Sequence, residues 1–335
     1  MFWMYLARFP ADRLLWDRRW LGLALWGGVV GCVRPASAPS APPPAAPTTL
    51  WFANLPEWRR EAGQLMRVPL GGGPPELVVA SLEGRYDVSP SGRRVAWTEA
   101  HHLWIDGVER PDLGDRVDSP LFVDEDHLDY VRRENGTESV IAELDLSRDT
   151  TRDRYRPPSV WADVGLMHGP NDAVEFVSLL DPMALRPDDT VIAKDPRGIS
   201  LDWRADGRVL VWDSRDKRLT RVDSAGQAEH VYERGILLGG FVGDDQLLLE
   251  SFDAETQTVR ISLTDLDGQN PRVLVQNLPT QDAVLTQPWC VLDGQTFVLI
   301  GDGATSIHRV EVTDEDLRTT PLADNLSSAS WLKCR

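Results

Sequence analysis

The chain has 335 residues, a formal net charge of −17 and a hydrophobic content of 42%. That hydrophobic content is enough for a folded core and excludes a disordered protein. The excess of Asp and Glu predicts a surface that repels nucleic acid and anionic lipid, so neither is an expected partner of the folded part.

Residues 1–31 are predicted to be a signal peptide. Arginines flank an apolar run, WLGLALWGGVV, which is too short to span a bilayer and has the length of a signal-peptide core. The run ends in VVGC, which resembles the lipobox of bacterial lipoproteins, and the resemblance implies that Cys32 is lipidated. In the lipoproteins that this motif resembles, the residue after the cysteine determines the target membrane. By that resemblance, Val33 implies the outer membrane, with the protein facing the periplasm. An ordinary secretion signal is the alternative.

Residues 32–49 are predicted to form a tether between the lipid and the folded domain. The segment is rich in Pro and Ala, as in VRPASAPSAPPPAAPTT, and supplies no core residues. Proline removes backbone donors and stiffens the chain, so an extended spacer is expected. The folded domain is then predicted over residues 50–335.

A short unit of strands and turns recurs through that domain. Its clearest copy is YDVSPSGRRVAWTEAHHLWID at residues 86–106, in which Pro90 and Gly92 mark a turn between two strand candidates. Such a unit cannot bury its apolar face alone. Similar turns lie near residues 92, 126, 172, 207, 245 and 294. A spacing of about 40 residues with four strands per unit is the signature of a β-propeller.

The two ends of the domain predict how the ring closes. The first unit, residues 50–80, has only three strand candidates, while the terminal segment SASWLKCR reads as one extra strand. Pairing them would close the ring and remove two exposed edges. Seven four-stranded blades are expected, with six or eight, or a β-sandwich, as alternatives, because the unit over residues 158–195 is the least regular. The inner strands would lie near residues 87, 121, 161, 202, 239, 287 and 331.

The run VSPSGRRVAW, followed by LWIDG at residues 103–107, resembles the repeat of TolB-like, WD-type propeller proteins. Ser91 replaces the usual Asp of the family turn, and LDWRADG at residues 201–207 is a looser match without the proline. The resemblance covers roughly residues 49–334. It implies a propeller that binds other proteins, and it carries over no binding residue.

The remaining cysteines, Cys290 and Cys334, both lie on inner-strand candidates. An exported protein occupies an oxidising compartment, so a disulfide between them is expected, with two buried free thiols as the alternative.

No catalytic residue, cofactor or metal site is predicted. His101 and His102 are adjacent, and adjacent strand residues point to opposite faces, so the two could bind one metal ion only from a loop. Calcium bound by acidic turn residues, such as Asp244 and Asp245, is an alternative to ordinary turn capping. The tryptophans on or beside inner strands are expected in the core, with a place at a binding mouth as the alternative: Trp161, Trp203, Trp289 and Trp331.

The sequence therefore favours a monomeric, non-catalytic envelope lipoprotein whose propeller binds an envelope protein or glycan. One alternative is a propeller enzyme, such as a metal-dependent lactonase or a glycan lyase, with an acidic site at the channel mouth. A structural spacer without a specific ligand is the other.

Overall fold

A computed structural model describes most of the chain from residue 47 onwards. The described residues are 47–55, 63–82, 85–114, 116–134, 138–157, 165–168, 174–177, 183–186, 188–193, 199–204, 206, 208–213, 218–223, 227–233, 235–253, 255–256, 258–279, 288–313 and 316–335. The predictions on the signal peptide, on Cys32, on Trp161 and on the tether up to residue 46 lie outside these residues.

The described strands form seven four-stranded antiparallel sheets, numbered here in chain order. The first holds β1 (Thr49–Asn54), β2 (Gly63–Pro69), β3 (Glu76–Leu82) and the last strand of the chain, β28 (Ala329–Cys334). The second holds β4 (Tyr86–Val88), β5 (Val95–Glu99), β6 (His102–Ile105) and β7 (Val108–Glu109). The third holds β8 (Val117–Phe122), β9 (His127–Glu134), β10 (Glu138–Asp145) and β11 (Thr150–Tyr155).

The remaining four sheets follow the same up-and-down order. The fourth holds β12 (Gly165–His168), β13 (Val174–Val177), β14 (Met183–Leu185) and β15 (Val191–Ala193). The fifth holds β16 (Ile199–Trp203), β17 (Val209–Asp213), β18 (Arg218–Val222) and β19 (Ala228–Val231). The sixth holds β20 (Ile236–Val242), β21 (Gln246–Asp253), β22 (Thr258–Asp265) and β23 (Arg272–Pro279). The seventh holds β24 (Trp289–Val291), β25 (Thr296–Ile300), β26 (Ile307–Val312) and β27 (Leu317–Ala323).

Helix is nearly absent from the described part of the chain. It contains two short 3-10 segments, Pro111–Leu113 and Asp302–Ala304. None of its helices is long and apolar enough to cross a membrane.

The last strand closes the ring, as predicted. β28 pairs antiparallel with β1, with Leu50 opposite Cys334, Trp51 opposite Lys333 and Asn54 opposite Ala329. The N–H of Thr49 donates to the Arg335 carbonyl at 2.8 Å, and the N–H of Arg335 donates to the Thr49 carbonyl at 2.9 Å. The first sheet is therefore assembled from the start and the end of the described chain.

Both faces of the strand β1 are buried, because the first sheet packs between the second and the seventh. In β1, Leu50 and Phe52 join the cluster shared with the sixth and seventh sheets. Trp51 and Ala53 alternate with them and pack against the second sheet. This two-sided burial explains why strands such as β25, TFVLI, are apolar at nearly every position.

The outermost strands protect their free edges. In five of the seven sheets the outermost strand carries at least one extra residue opposite its neighbour, at β3, β11, β19, β23 and β27. A sixth outer strand, β7, is only two residues long. Bulges and short strands twist or shorten an exposed edge, which disfavours strand addition from another chain.

A disulfide joins the inner strands of the seventh and first sheets. It links Cys290 in β24 to Cys334 in β28, with the two Cα atoms 5.9 Å apart and a sequence separation of 44. The bond therefore fixes the end of the closing strand to the sheet that precedes it.

Breaking this bond is expected to lower the free energy of unfolding by about 2–4 kcal/mol, because the unfolded chain loses a loop constraint. The change is Cys334→Ser, measured by thermal unfolding under non-reducing conditions. Cys290→Ser and the double variant should show the same loss, since each removes the same bond. Equal melting temperatures for oxidised and reduced wild type would contradict it.

Candidate functional site

The antiparallel order places every connection at one of two ends of the ring. The terminus end, as we define it, holds the turns between first and second strands and between third and fourth strands, together with Thr49 and Arg335. The far end holds the connections between second and third strands and between successive sheets. The longest connections, residues 55–62, 156–164 and 280–288, all belong to the far end. Loops on a rigid scaffold are where binding residues concentrate.

Aspartates at the terminus end cap its turns. The Oδ1 atom of Asp124 accepts the backbone N–H groups of the second and third residues after it, at 2.7 and 2.8 Å. Asp293 Oδ1 does the same at 2.8 and 2.7 Å. These carboxylates replace missing backbone partners, which is the usual reason for Asp in a turn. In the described ranges no group of three or more His, Cys, Asp or Glu side chains is placed to hold a metal ion.

Two aspartates on inner strands connect neighbouring sheets. Asp87 in β4 is fully buried and accepts the N–H of Phe122 in the third sheet at 2.7 Å. Asp202 in β16 accepts the N–H of Phe241 in the sixth sheet at 2.7 Å. Lys333 also forms an ion pair with Asp87, so the closing strand is bound to the second sheet as well.

A second kind of contact between neighbouring sheets recurs at the rim of the terminus end. An Arg from the outer part of one sheet pairs with an Asp in the turn between the third and fourth strands of the next sheet. We call these pairs rim clasps. They are Arg110–Asp149 at 2.7 Å, Arg154–Asp189 at 2.7 Å, Arg221–Asp267 at 3.1 Å and Arg272–Asp316 at 2.8 Å.

The clasp between the third and fourth sheets is buried. The Arg154 side chain is 2% exposed and donates to Asp129 Oδ2 at 2.5 Å, to Asp189 Oδ1 at 2.7 Å and to the Arg186 carbonyl at 2.6 Å. Asp129 is fully buried, and its Oδ1 atom has no hydrogen-bond partner among the described residues. Burial raises the pKa of Asp129 to about 7, although the attraction of Arg154 opposes that shift.

The predicted pair of adjacent histidines does not form a joint site with other ligands in the described residues. His101 is exposed in the β5–β6 turn, with a φ of 67°. His102 lies in β6, with Nδ1 3.4 Å from Glu109 Oε1. His127 contacts Asp124 at 2.9 Å, and that hydrogen bond raises the pKa of His127.

A serine–histidine pair that the sequence did not predict lies in the seventh sheet. Ser306 Oγ lies 2.8 Å from His308 Nε2 at the far end of the seventh sheet. His308 Nδ1 is buried and has no partner in the described part of the chain. Nδ1–H would then be a buried donor without an acceptor, so the favoured tautomer carries its proton on Nε2 and donates to the serine. That tautomer is not a general base for Ser306, and the pair is best explained as structural.

Of the predicted core tryptophans, Trp289 lies between sheets. Trp289 is 4% exposed and packs on Gly240, where a Cβ would lie 2.5 Å from the indole Nε1. Trp203 and Trp331 belong to β16 and β28. Another pair, Trp97 and Trp104, stacks with ring centroids 6.0 Å apart. Gly240 is therefore required for close packing of the sixth and seventh sheets.

No protein-family model matches the sequence, and no curated protein matches it. Among solved structures, a putative 6-phosphogluconolactonase from Bacteroides uniformis is 10% identical with a TM-score of 0.52, over 85% of this chain and 99% of that chain. A puromycin hydrolase is 15% identical with a TM-score of 0.53, over 84% of this chain and 53% of that chain. TolB from Acinetobacter baumannii is 12% identical with a TM-score of 0.49, over 85% of this chain and 66% of TolB.

The chain is an all-β propeller protein, and the predicted fold class is confirmed. The similar structures include a putative 6-phosphogluconolactonase and a puromycin hydrolase, so this fold alone selects no single function. The function must therefore be inferred from the residues at the two ends of this ring.

Proposed function

We propose that the protein is a non-catalytic lipoprotein of the cell envelope whose far end binds a protein or glycan partner. The lipobox-like sequence before Cys32 and the Pro-rich tether of residues 32–49 support attachment to the outer membrane. Multiple acyl chains on one residue would give stable attachment, which a single chain does not.

The observation that carries this proposal is the position of Thr49. The described chain enters the ring beside Arg335, at the terminus end. A tether that continues into Thr49 therefore joins the ring at the terminus end. The far end is then the end of the ring opposite the tether. The longest intervals between described strands fall at that far end, and loops on a rigid scaffold are where binding residues concentrate.

Charge supports the same orientation. Exposed acidic residues crowd the turns of the terminus end, including Asp126, Asp244 and Asp245. Anionic lipid repels such a surface within about a Debye length, ~8–10 Å at physiological ionic strength. The terminus end is thus poorly suited to lie flat on the membrane, and the tether keeps it at a distance.

Site-specific photo-crosslinking in intact cells tests the orientation. A photoreactive amino acid replaces one of four exposed acidic residues, Glu233 or Glu255 at the far end and Asp126 or Asp245 at the terminus end. We expect the far-end positions to capture the same envelope component in stoichiometric amounts, and the terminus-end positions to capture none.

Cys32→Ala versions of all four variants serve as the unanchored control, because they keep the propeller and lose the lipid. Their capture should weaken at the far end and stay absent at the terminus end. Capture from the terminus end alone would overturn the proposed orientation. A divalent metal retained through purification, together with hydrolysis or lyase activity, would favour the enzyme alternative instead.

A further inference from the structure

A carboxyl group lies buried between the sixth and seventh sheets. Glu250 is in the middle of β21 and is only 3% exposed. It stands opposite Leu238 in β20 and Ile261 in β22, and opposite residues of antiparallel strands share a face. Leu238 and Ile261 belong to the apolar cluster that continues into Trp289 and Leu299 of the seventh sheet. Glu250 therefore faces that interface.

Glu250 has no hydrogen bond or ion pair in the described part of the chain. This distinguishes it from Asp129, the other deeply buried carboxyl on a second strand, which contacts Arg154. An ionised carboxylate without a partner is very costly in an apolar interior, whereas its protonated form is much less so.

The charged groups that the structure describes on this interface are bonded elsewhere. His308 shares a face with Trp289 and Leu299 by strand register, and its Nε2 is bonded to Ser306. At the rim, Arg272 pairs with Asp316 at 2.8 Å. At the terminus end, Asp265 faces the same side as Gln246 and caps its own turn, accepting the N–H of Gln269 at 2.7 Å. None of these groups supplies a counter-charge to Glu250.

We propose that Glu250 is protonated in the folded ring at neutral pH, and that its ionisation loosens the contact between the sixth and seventh sheets. The interface then acts as a pH-sensitive joint, closed in acidic and neutral surroundings and weakened in alkaline ones. It lies beside β24, whose Cys290 is bonded to the closing strand. The joint therefore adjoins the place where the ring is closed, and it operates whether or not a partner is bound.

The direction of the pH effect follows from the shift in the carboxyl's affinity for protons. Burial raises the pKa of Glu250 from 4.5 to about 8. Below about pH 4.5 the carboxyl is protonated in both states, so it adds no penalty. Between that value and about 8 only the unfolded chain releases the proton, so the free energy of unfolding falls as the pH rises. Above about 8 the loss is complete.

Carbon-13 NMR of protein labelled at the glutamate Cδ atom tests the protonation directly, in the unmodified sequence. We expect one carboxyl signal to titrate near pH 8, well above the others, and to be absent from Glu250→Gln. Titration of every glutamate below pH 6 would overturn the proposal without any need for a variant to fold.

Chemical unfolding between pH 5 and 8 tests the consequence. Each pH unit should raise the unfolding constant of the wild type about tenfold relative to that of Glu250→Gln, because one proton is released on unfolding. Glu255→Gln, an exposed residue near the end of the same strand, is the matched control and should keep the wild-type slope. Parallel slopes for wild type and Glu250→Gln would contradict a pH-sensitive joint.

Discussion

Deletion of residues 329–335 is expected to abolish the cooperative unfolding of the ring. The deletion removes β28 and with it Ala329 and Leu332, which are 0% and 1% exposed. It also leaves one edge of β1 without its hydrogen-bond partners. Fully buried Asp87 loses the ion pairs that it forms with Lys333 and Arg335, and breaking a buried ion pair by itself costs about 3–5 kcal/mol. Together these losses are a large part of the ~5–15 kcal/mol stability of a typical domain.

Circular dichroism and calorimetry of the truncated chain measure the effect. Leu332→Ala is the matched control, because it removes one buried side chain and keeps the strand. It should cost about 2–5 kcal/mol and retain a single sharp transition. A truncated chain that melts at the wild-type temperature would show that β28 does not hold the ring together.

Arg154→Met is expected to destabilise the protein by about 3–5 kcal/mol, the second largest effect of a local change. The guanidinium is almost completely buried between Asp129 and Asp189, so its removal leaves one fully buried carboxylate without a counter-ion. Arg110→Met removes a rim clasp whose aspartate, Asp149, is largely exposed, and it should cost less than about 1 kcal/mol. Urea unfolding at pH 8, above the pKa of Asp129 in the wild type, measures both.

The pH dependence of Arg154→Met adds an independent readout. Without the arginine, the pKa of Asp129 should rise above its value of about 7. A raised pKa makes the free energy of unfolding fall as the pH rises, so the variant should lose more stability than wild type between pH 6 and 8. Asp129→Asn in the same chain should recover part of the loss. Equal costs for the Arg154 and Arg110 variants would show that burial does not govern the clasp.

Much of the fold could be predicted because each sheet repeats a local pattern. Apolar runs bounded by turn residues identified strands such as β5 and β25, since both their faces are buried. The closing pair β1 and β28 could be predicted from an incomplete first unit and a surplus last strand. The fourth sheet was harder. Its described inner strand is Gly165–His168, and the predicted position near residue 161 lies outside the described residues.

The joints between sheets could not be predicted in the same way. Each joins residues far apart in sequence, as in the pair of Arg221 with Asp267, and depends on the strand register of two sheets. An arginine that clasps and an arginine that is merely exposed look alike in the sequence. Glu250 did carry a signal, since a glutamate inside the apolar strand QLLLESFD is unusual, but the sequence does not show that both of its faces are covered.

Hydrogen exchange followed by mass spectrometry tests the closed ring most directly. Peptides covering residues 47–55 and 327–335 should be protected to the same extent as the strands of the third and sixth sheets. The reason is that β1 and β28 form backbone hydrogen bonds with each other. Exchange of the 327–335 peptide at the rate of an unfolded chain, while the other sheets stay protected, would contradict closure of the ring by its last strand.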